Sequence, residues 1–130
     1  MNPDEFRALA LELPGVIESS HQAHADFRVR GSIFATLGYP DDRYGMVKLT
    51  PEEQAKRVRQ GPAVFAPAKG AWGEQGSTLV KLGAASEAAS EAAVRSAVRS
   101  AWERLVREET TLREKQGARK SAGRPKRIKI

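Results

Sequence analysis

Between residues 24 and 50, in HADFRVRGSIFATLGYPDDRYGMVKLT, apolar and polar side chains alternate in three short runs separated by turn-forming residues. Neighbouring side chains on a strand point to opposite faces, so a period of two with one polar row describes a half-buried strand. Ala25, Phe27 and Val29 alternate with Asp26, Arg28 and Arg30; beyond Gly31-Ser32, the row Ile33, Ala35 and Leu37 resumes. A three-residue turn over 30–32 sets Val29 opposite Ile33 and Phe27 opposite Ala35, with both apolar rows on one side. A slip of one residue would turn a row to water, so the three-residue turn is expected. Tyr39-Pro40-Asp41-Asp42 marks the next turn. The third strand, 44–49, then points Val47 and Leu49 inward. Arg28, Arg30, Phe34, Met46 and Lys48 are left on the outward face.

The remaining residues supply the cover for the apolar face. Asn2-Pro3-Asp4-Glu5 combines a cap, a first-turn proline and a capping-box glutamate, and Phe6, Leu9, Ala10 and Leu13 follow at helical spacing. Pro14-Gly15 ends that helix, and residues 16–22 read as a connection. Thr50-Pro51-Glu52-Glu53 repeats the start signal for a surface helix reaching Gln60, basic in its second half through Lys56, Arg57 and Arg59. Residues 63–65 suit a short strand confined to an edge by Pro62 and Pro67. Gly70, Gly73 and Gly76 suggest a mobile loop around Trp72, and residues 77–82 read as a strand. Ser86 caps the last helix, with Val94, Ala97, Val98, Ala101, Trp102 and Leu105 as its buried stripe. Glu91–Arg95 and Glu103–Arg107 are its i, i+4 pairs. The expected fold is α+β: helix, three-stranded antiparallel meander, helix, one or two further strands and a long C-terminal helix, in one two-layer domain. Phe27, Val29, Ile33, Leu37, Val47, Leu49, Leu79, Val98 and Trp102 are its expected core.

Charge divides the chain at about residue 117. The net charge is +6, and residues 117–130 contain Arg119, Lys120, Arg124, Lys126, Arg127 and Lys129 with no acid. That segment carries the whole excess, leaving residues 1–116 neutral. The expected organisation is a domain over 1–116 and a basic, disordered tail over 117–130. A basic appendage on a neutral body points to a polyanion partner. The chain has no cysteine, which excludes disulfides and thiol chemistry. No apolar run approaches a membrane span, and the acidic, amphipathic N-terminus is unlike a signal peptide; a cytoplasmic location is expected.

Three segments, HADFRVRGSIFATL, GMVKLTPEEQ and GAWGEQGST, together resemble the MmcQ/YjbR family of small bacterial proteins. The resemblance covers roughly residues 11–102. It implies a compact α+β fold similar to the secretion-chaperone and frataxin-like arrangements. Members are commonly described as DNA-binding, and the family offers no catalytic residue to carry over. This chain departs from the pattern at Ala23 and Ala25, where relatives often read Gly and Pro, and the basic tail lies outside it.

Several residues invite sharper readings. His21 and His24, with Glu18 and Asp26, have the donor types of a zinc or nickel site. Alternation keeps them from converging, so polar residues at a strand entry are expected and no metal. Ser19, Ser20 and Ser77 lack a nucleophile-elbow context, and the glycine loop lacks the ending of a phosphate-binding loop; neither an enzyme nor a cofactor is expected. Trp72 reads as a lid folded onto the core, and otherwise as an exposed ring stacking on a base or partner. The outward sheet face reads as solvated charge, and otherwise as a nucleic-acid platform. Gly123-Arg124-Pro125, followed by Lys126 and Arg127, resembles the core of an AT-hook, with Ala122 where a hook usually has a basic residue. Such a core lies along a narrow A·T-rich minor groove.

The expected function is therefore non-enzymatic, mainly non-specific binding of duplex DNA, through the tail and through Arg28, Arg30, Lys48 and Trp72. The alternative is a protein-interaction module using the sheet face and the Trp72 loop. A small-ligand binder or enzyme ranks last.

Overall fold

A computed structural model describes the backbone of residues 1–123 and the side-chain surroundings of residues 1–108. The elements are α1 (Pro3–Leu11), β1 (Val16–His21), β2 (His24–Val29), β3 (Ser32–Leu37), β4 (Tyr44–Lys48), α2 (Pro51–Gln60), β5 (Phe65–Pro67), α3 (Gly70–Glu74), β6 (Ser77–Lys81) and α4 (Ala88–Gly123), with a 3-10 turn at Leu82–Ala84. The strands form one antiparallel sheet in the order β1-β2-β3-β4-β6-β5. Helices α1 and α4 cover one face. Phe6, Leu9 and Ala10 of α1 and Val94, Ala97, Val98 and Ala101 of α4 share a core with Phe27, Ala35, Val47, Phe65 and Val80 of the sheet. The backbone of α4 runs helical to Gly123, past the expected boundary at Gly117.

The helix starts follow from their caps. Asn2 accepts from the Glu5 amide and Glu5 accepts from the Asn2 amide, both at 2.8 Å. Thr50 accepts from the Glu53 amide at 3.1 Å. The α4 helix starts later than expected, at Ala88, because the Glu87 carbonyl rather than Ser86 takes its first bond. The expected Glu91–Arg95 pair gives way to a contact of Arg95 with Glu12 of the α1 end, whereas Glu103–Arg107 forms at 3.4 Å.

Two parts of the sheet differ from the sequence expectation. The connection at 16–22 contains strand β1. It lies at the sheet edge with five of six residues exposed, so nothing imposes an alternating pattern on it. The β1–β2 turn is Gln22-Ala23, both at positive φ, as a two-residue hairpin requires. Ala23 holds φ 67, a conformation glycine takes without steric cost.

The β2–β3 turn also has two residues, Arg30 and Gly31, at φ 53 and 84. Val29 therefore faces Ser32, not Ile33. A bulge between Phe27 and Arg28 leaves Phe34 as the additional residue on β3, and this restores the Phe27–Ala35 pairing. The bulge turns Phe34 inward, fully buried in the core, so it does not belong to the outward face. Met46 does lie on that face, between Thr36 and Leu79, yet it is buried. Of the expected core, Ile33, Leu79 and Trp102 are only half-buried. Leu79 alternates with Val80, which takes the core position, and Trp102 lies at the core margin with its Nε1 donating to the Pro14 carbonyl at 3.0 Å.

The glycine-rich stretch is a packed corner, not a mobile loop. Gln54 of α2 is buried, and its Nε2 donates to the Gly73 carbonyl at 2.9 Å and the Ser77 carbonyl at 2.8 Å. A Cβ on Gly73 would lie 1.7 Å from the Ala68 carbonyl oxygen, and one on Gly76 would lie 1.8 Å from that of Leu49. These glycines allow backbone to touch backbone.

Candidate nucleic-acid interface

Arg28 leaves β2 on the outward face and immediately meets a carboxylate. Its Nε and Nη2 donate to Asp26 at 2.8 and 3.1 Å, and the Nδ1 of His21 lies 2.8 Å from the same group. Asp26 is fully buried beneath these two side chains. The Arg28 hydrogen bond holds the Asp26 carboxyl below its usual range against the opposing effect of burial, and His21 adds to the lowering. The same bond raises the Arg28 pKa. Across the sheet, Thr36 faces Asp26, and its buried Oγ1 has no hydrogen-bond partner among the described residues. This cluster escaped the sequence reading because alternation marks Asp26 as outward but says nothing about neighbours closing over it.

A carboxyl with a lowered folded pKa contributes stability above its unfolded value, near 4, and loses that contribution as pH falls through the folded value. Asp26→Asn is therefore expected to lower stability at pH 7 by about 1–3 kcal/mol. It should also flatten the acid limb of stability against pH. Chemical denaturation from pH 7 to 3 tests this; parallel acid limbs in both proteins would refute it.

The other expected contact residues scatter. Arg30 occupies the exposed β2–β3 turn. Lys48 lies on the outward face two strands from Arg28, roughly 10 Å away at the usual strand spacing. It is half-buried, and its carbonyl accepts from the Arg104 Nε at 3.3 Å. With Phe34 inside, Met46 covered and Arg28 paired, the outward face is not an array of free cations between apolar stacking groups.

Trp72 contradicts the lid expectation. It projects from α3 at 61% exposure, because Gln54 and the close-packed Gly73 fix the backbone of this corner with the indole outside. Arg119 and Lys120 fall on α4, where only backbone is described. Arg124, Lys126, Arg127 and Lys129, with most of the hook-like core, lie outside the described residues.

Among the described residues no group of three or more His, Asp or Glu side chains converges as metal ligands. His24 instead packs edge-on against Tyr39, ring centres 6.2 Å apart. A cleft of about 370 Å³ between the start of α2 and α4 contains Glu53, Glu103, Glu108, Arg104 and Arg107. Its arginines already face carboxylates, Arg104 with Glu108 and Arg107 with Glu103. No described helix is long and apolar enough to cross a membrane.

No curated protein matches the chain. The crystal structure of Deinococcus radiodurans protein DR2400, with a DUF419 domain, is similar to it with a TM-score of 0.63 at 18% identity, covering 78% of this chain and 75% of that one. At this identity the likeness concerns the fold alone. The family model YjbR matches residues 11–104. That region runs from the last residue of α1, through all six strands, to the buried stripe of α4, and the chain belongs to the YjbR family.

Proposed function

We propose that this protein binds duplex DNA without sequence readout and without catalysis or a cofactor, mainly through its basic segment 117–130. One observation carries the reading: the six positive charges of that segment are the whole net charge of the chain. The ion pairs of the body support it. Arg7, Arg28, Arg43, Arg57, Arg95, Arg104 and Arg107 each face a carboxylate, so the folded domain spends these cations on itself. A basic stretch whose own sequence contains no acid is suited to displacing counterions from phosphates. In the expected mode, Arg124 of the Gly-Arg-Pro core enters a narrow minor groove. Arg124→Ala should then weaken binding more on A·T-rich than on G·C-rich duplex, measured by fluorescence anisotropy. Equal loss on both would reduce Arg124 to a phosphate contact.

The exposed Trp72 favours a second reading, a contact with a protein partner or with an unpaired base. Trp72→Ala should change stability by no more than about 0.5 kcal/mol, as for other exposed positions. In a Trp102→Phe background, quenching of the remaining indole by added DNA would make Trp72 part of the nucleic-acid surface. Unchanged fluorescence at saturating DNA would exclude Trp72 from that surface.

A further inference from the structure

We propose that β1 is a self-pairing edge, through which two copies of this chain join their sheets into one continuous antiparallel sheet about a twofold axis at Ser19. This inference is independent of DNA binding.

The two edges of the sheet are unlike. The β5 edge has three residues and ends in Pro67, which lacks an N–H. The β1 edge is six residues long, VIESSH, with no proline, no lysine and no bulge. Short strands, proline, lysine and bulges are among the protections against edge pairing, and β1 has none of these four. Its one charge, Glu18, is already held by Arg7 of α1 at 3.0 Å. Ile17 is 68% exposed on it, and Leu11, in the last turn of the helix leading to it, is 41% exposed.

The hydrogen-bond pattern then selects the register. The two-residue Gln22-Ala23 turn makes His21 and His24 a hydrogen-bonded pair. Alternation along the ladder gives Ser19–Asp26 and Ile17–Arg28 the same pattern. The N–H and C=O groups of Glu18 and Ser20 consequently point away from β2, into the open edge, as does the C=O of Val16, whose N–H donates to the Leu13 carbonyl at 3.4 Å. An antiparallel second copy can bond only where these outward residues meet one another. Centring the axis on Glu18 would oppose two carboxylates. Centring it on Ser19 pairs Glu18 with Ser20 of the second copy and Ser20 with its Glu18, both as hydrogen-bonded pairs. Ile17 then faces His21 of the second copy, whose ring Asp26 already holds. No like charges oppose one another in this register, and Ile17, the most exposed large apolar side chain among the described residues, becomes covered.

The absence of native cysteine makes the test direct. In this register Ser19 faces its own copy in a non-hydrogen-bonded pair, with Cα atoms roughly 4.5 Å apart, within reach of a disulfide. Full-length Ser19→Cys should form a disulfide dimer at least about tenfold faster than Ala84→Cys, an exposed control, because pairing raises the local thiol concentration. Sedimentation of the wild type should show a concentration-dependent dimer. Ser20→Pro removes an N–H that points away from β2, so the hairpin survives while the dimer weakens; Ile17→Lys weakens it without touching the backbone. Circular dichroism checks that both variants stay folded. Equal crosslinking of Ser19→Cys and Ala84→Cys would overturn the proposal. So would a monomeric wild type, or a dimer indifferent to both Ser20→Pro and Ile17→Lys.

Discussion

Phe34→Ala is expected to lower the unfolding free energy by about 3–5 kcal/mol, the range for removing a large buried aromatic ring. A domain of this size is stable by only about 5–15 kcal/mol, so this single change removes a large share of its stability. The expectation depends on the β3 bulge. In a regular strand Phe34 would share the outward face with Met46, and its truncation would cost little. With the bulge, Phe34 and Ala35 both turn toward α1 and α4, and Phe34 is fully buried in the core. Truncation then leaves a cavity that the crossing helices cannot fill without shifting. Urea denaturation of wild type and variant at pH 7 is the measurement. A loss below about 1 kcal/mol would mean that the ring lies outside the core.

Removal of the basic segment is expected to change DNA binding more than any substitution in the folded body. Each phosphate neutralised contributes about −0.9 to the slope of log K against log salt. A segment using four to six of its charges gives a slope of roughly −4 to −5. The full chain should then lose affinity roughly 200- to 1000-fold between 50 and 200 mM salt. Truncation after Gln116 should abolish most of this slope. The melting temperature should hold, because the family match ends at residue 104 and the last residue described as packing on the core is Val106. A full-length variant with Arg124, Lys126, Arg127 and Lys129 changed to Gln separates charge from chain length: it should lose nearly as much slope. If the truncated domain binds with undiminished affinity and slope, the segment is not the interface, and Arg30 and Lys48 become the residues to change.

The elements legible in the sequence are those set by local chemistry or by burial on one face. Asn2 and Thr50 announce helix starts because a side-chain oxygen can satisfy an amide three residues on, which needs no tertiary partner. Phe27, Val47 and Val98 are recognisable as core because the period of a strand or helix repeats wherever one face is buried. The charge division of the chain is visible without any structure, since it concerns composition alone. The family is legible as well, because its motifs fall within the central strands, the start of α2 and the α3 corner.

What escaped the sequence depends on how separate segments meet. The β1 strand carries no alternation because solvent touches both its sides, and periodicity records burial rather than hydrogen bonding. The β2–β3 connection offered an additional residue, which either a longer turn or a bulge could absorb. Only the pairing of β3 with both β2 and β4 decided for the bulge, and with it the direction of Phe34. Gly73 and Gly76 read as mobility in one dimension. In three, they are the positions where Ala68 and Leu49 press backbone to backbone, while Gln54, a distant residue on another helix, fixes the corner that holds Trp72 outside. Asp26 is polar and outward by pattern, yet buried because His21 and Arg28 close over it. Period and capping act within a few residues and are therefore written in the chain. Strand register, close approach and the cover over a polar group arise between residues far apart in sequence, and only their packing in the tertiary structure selects among the local alternatives.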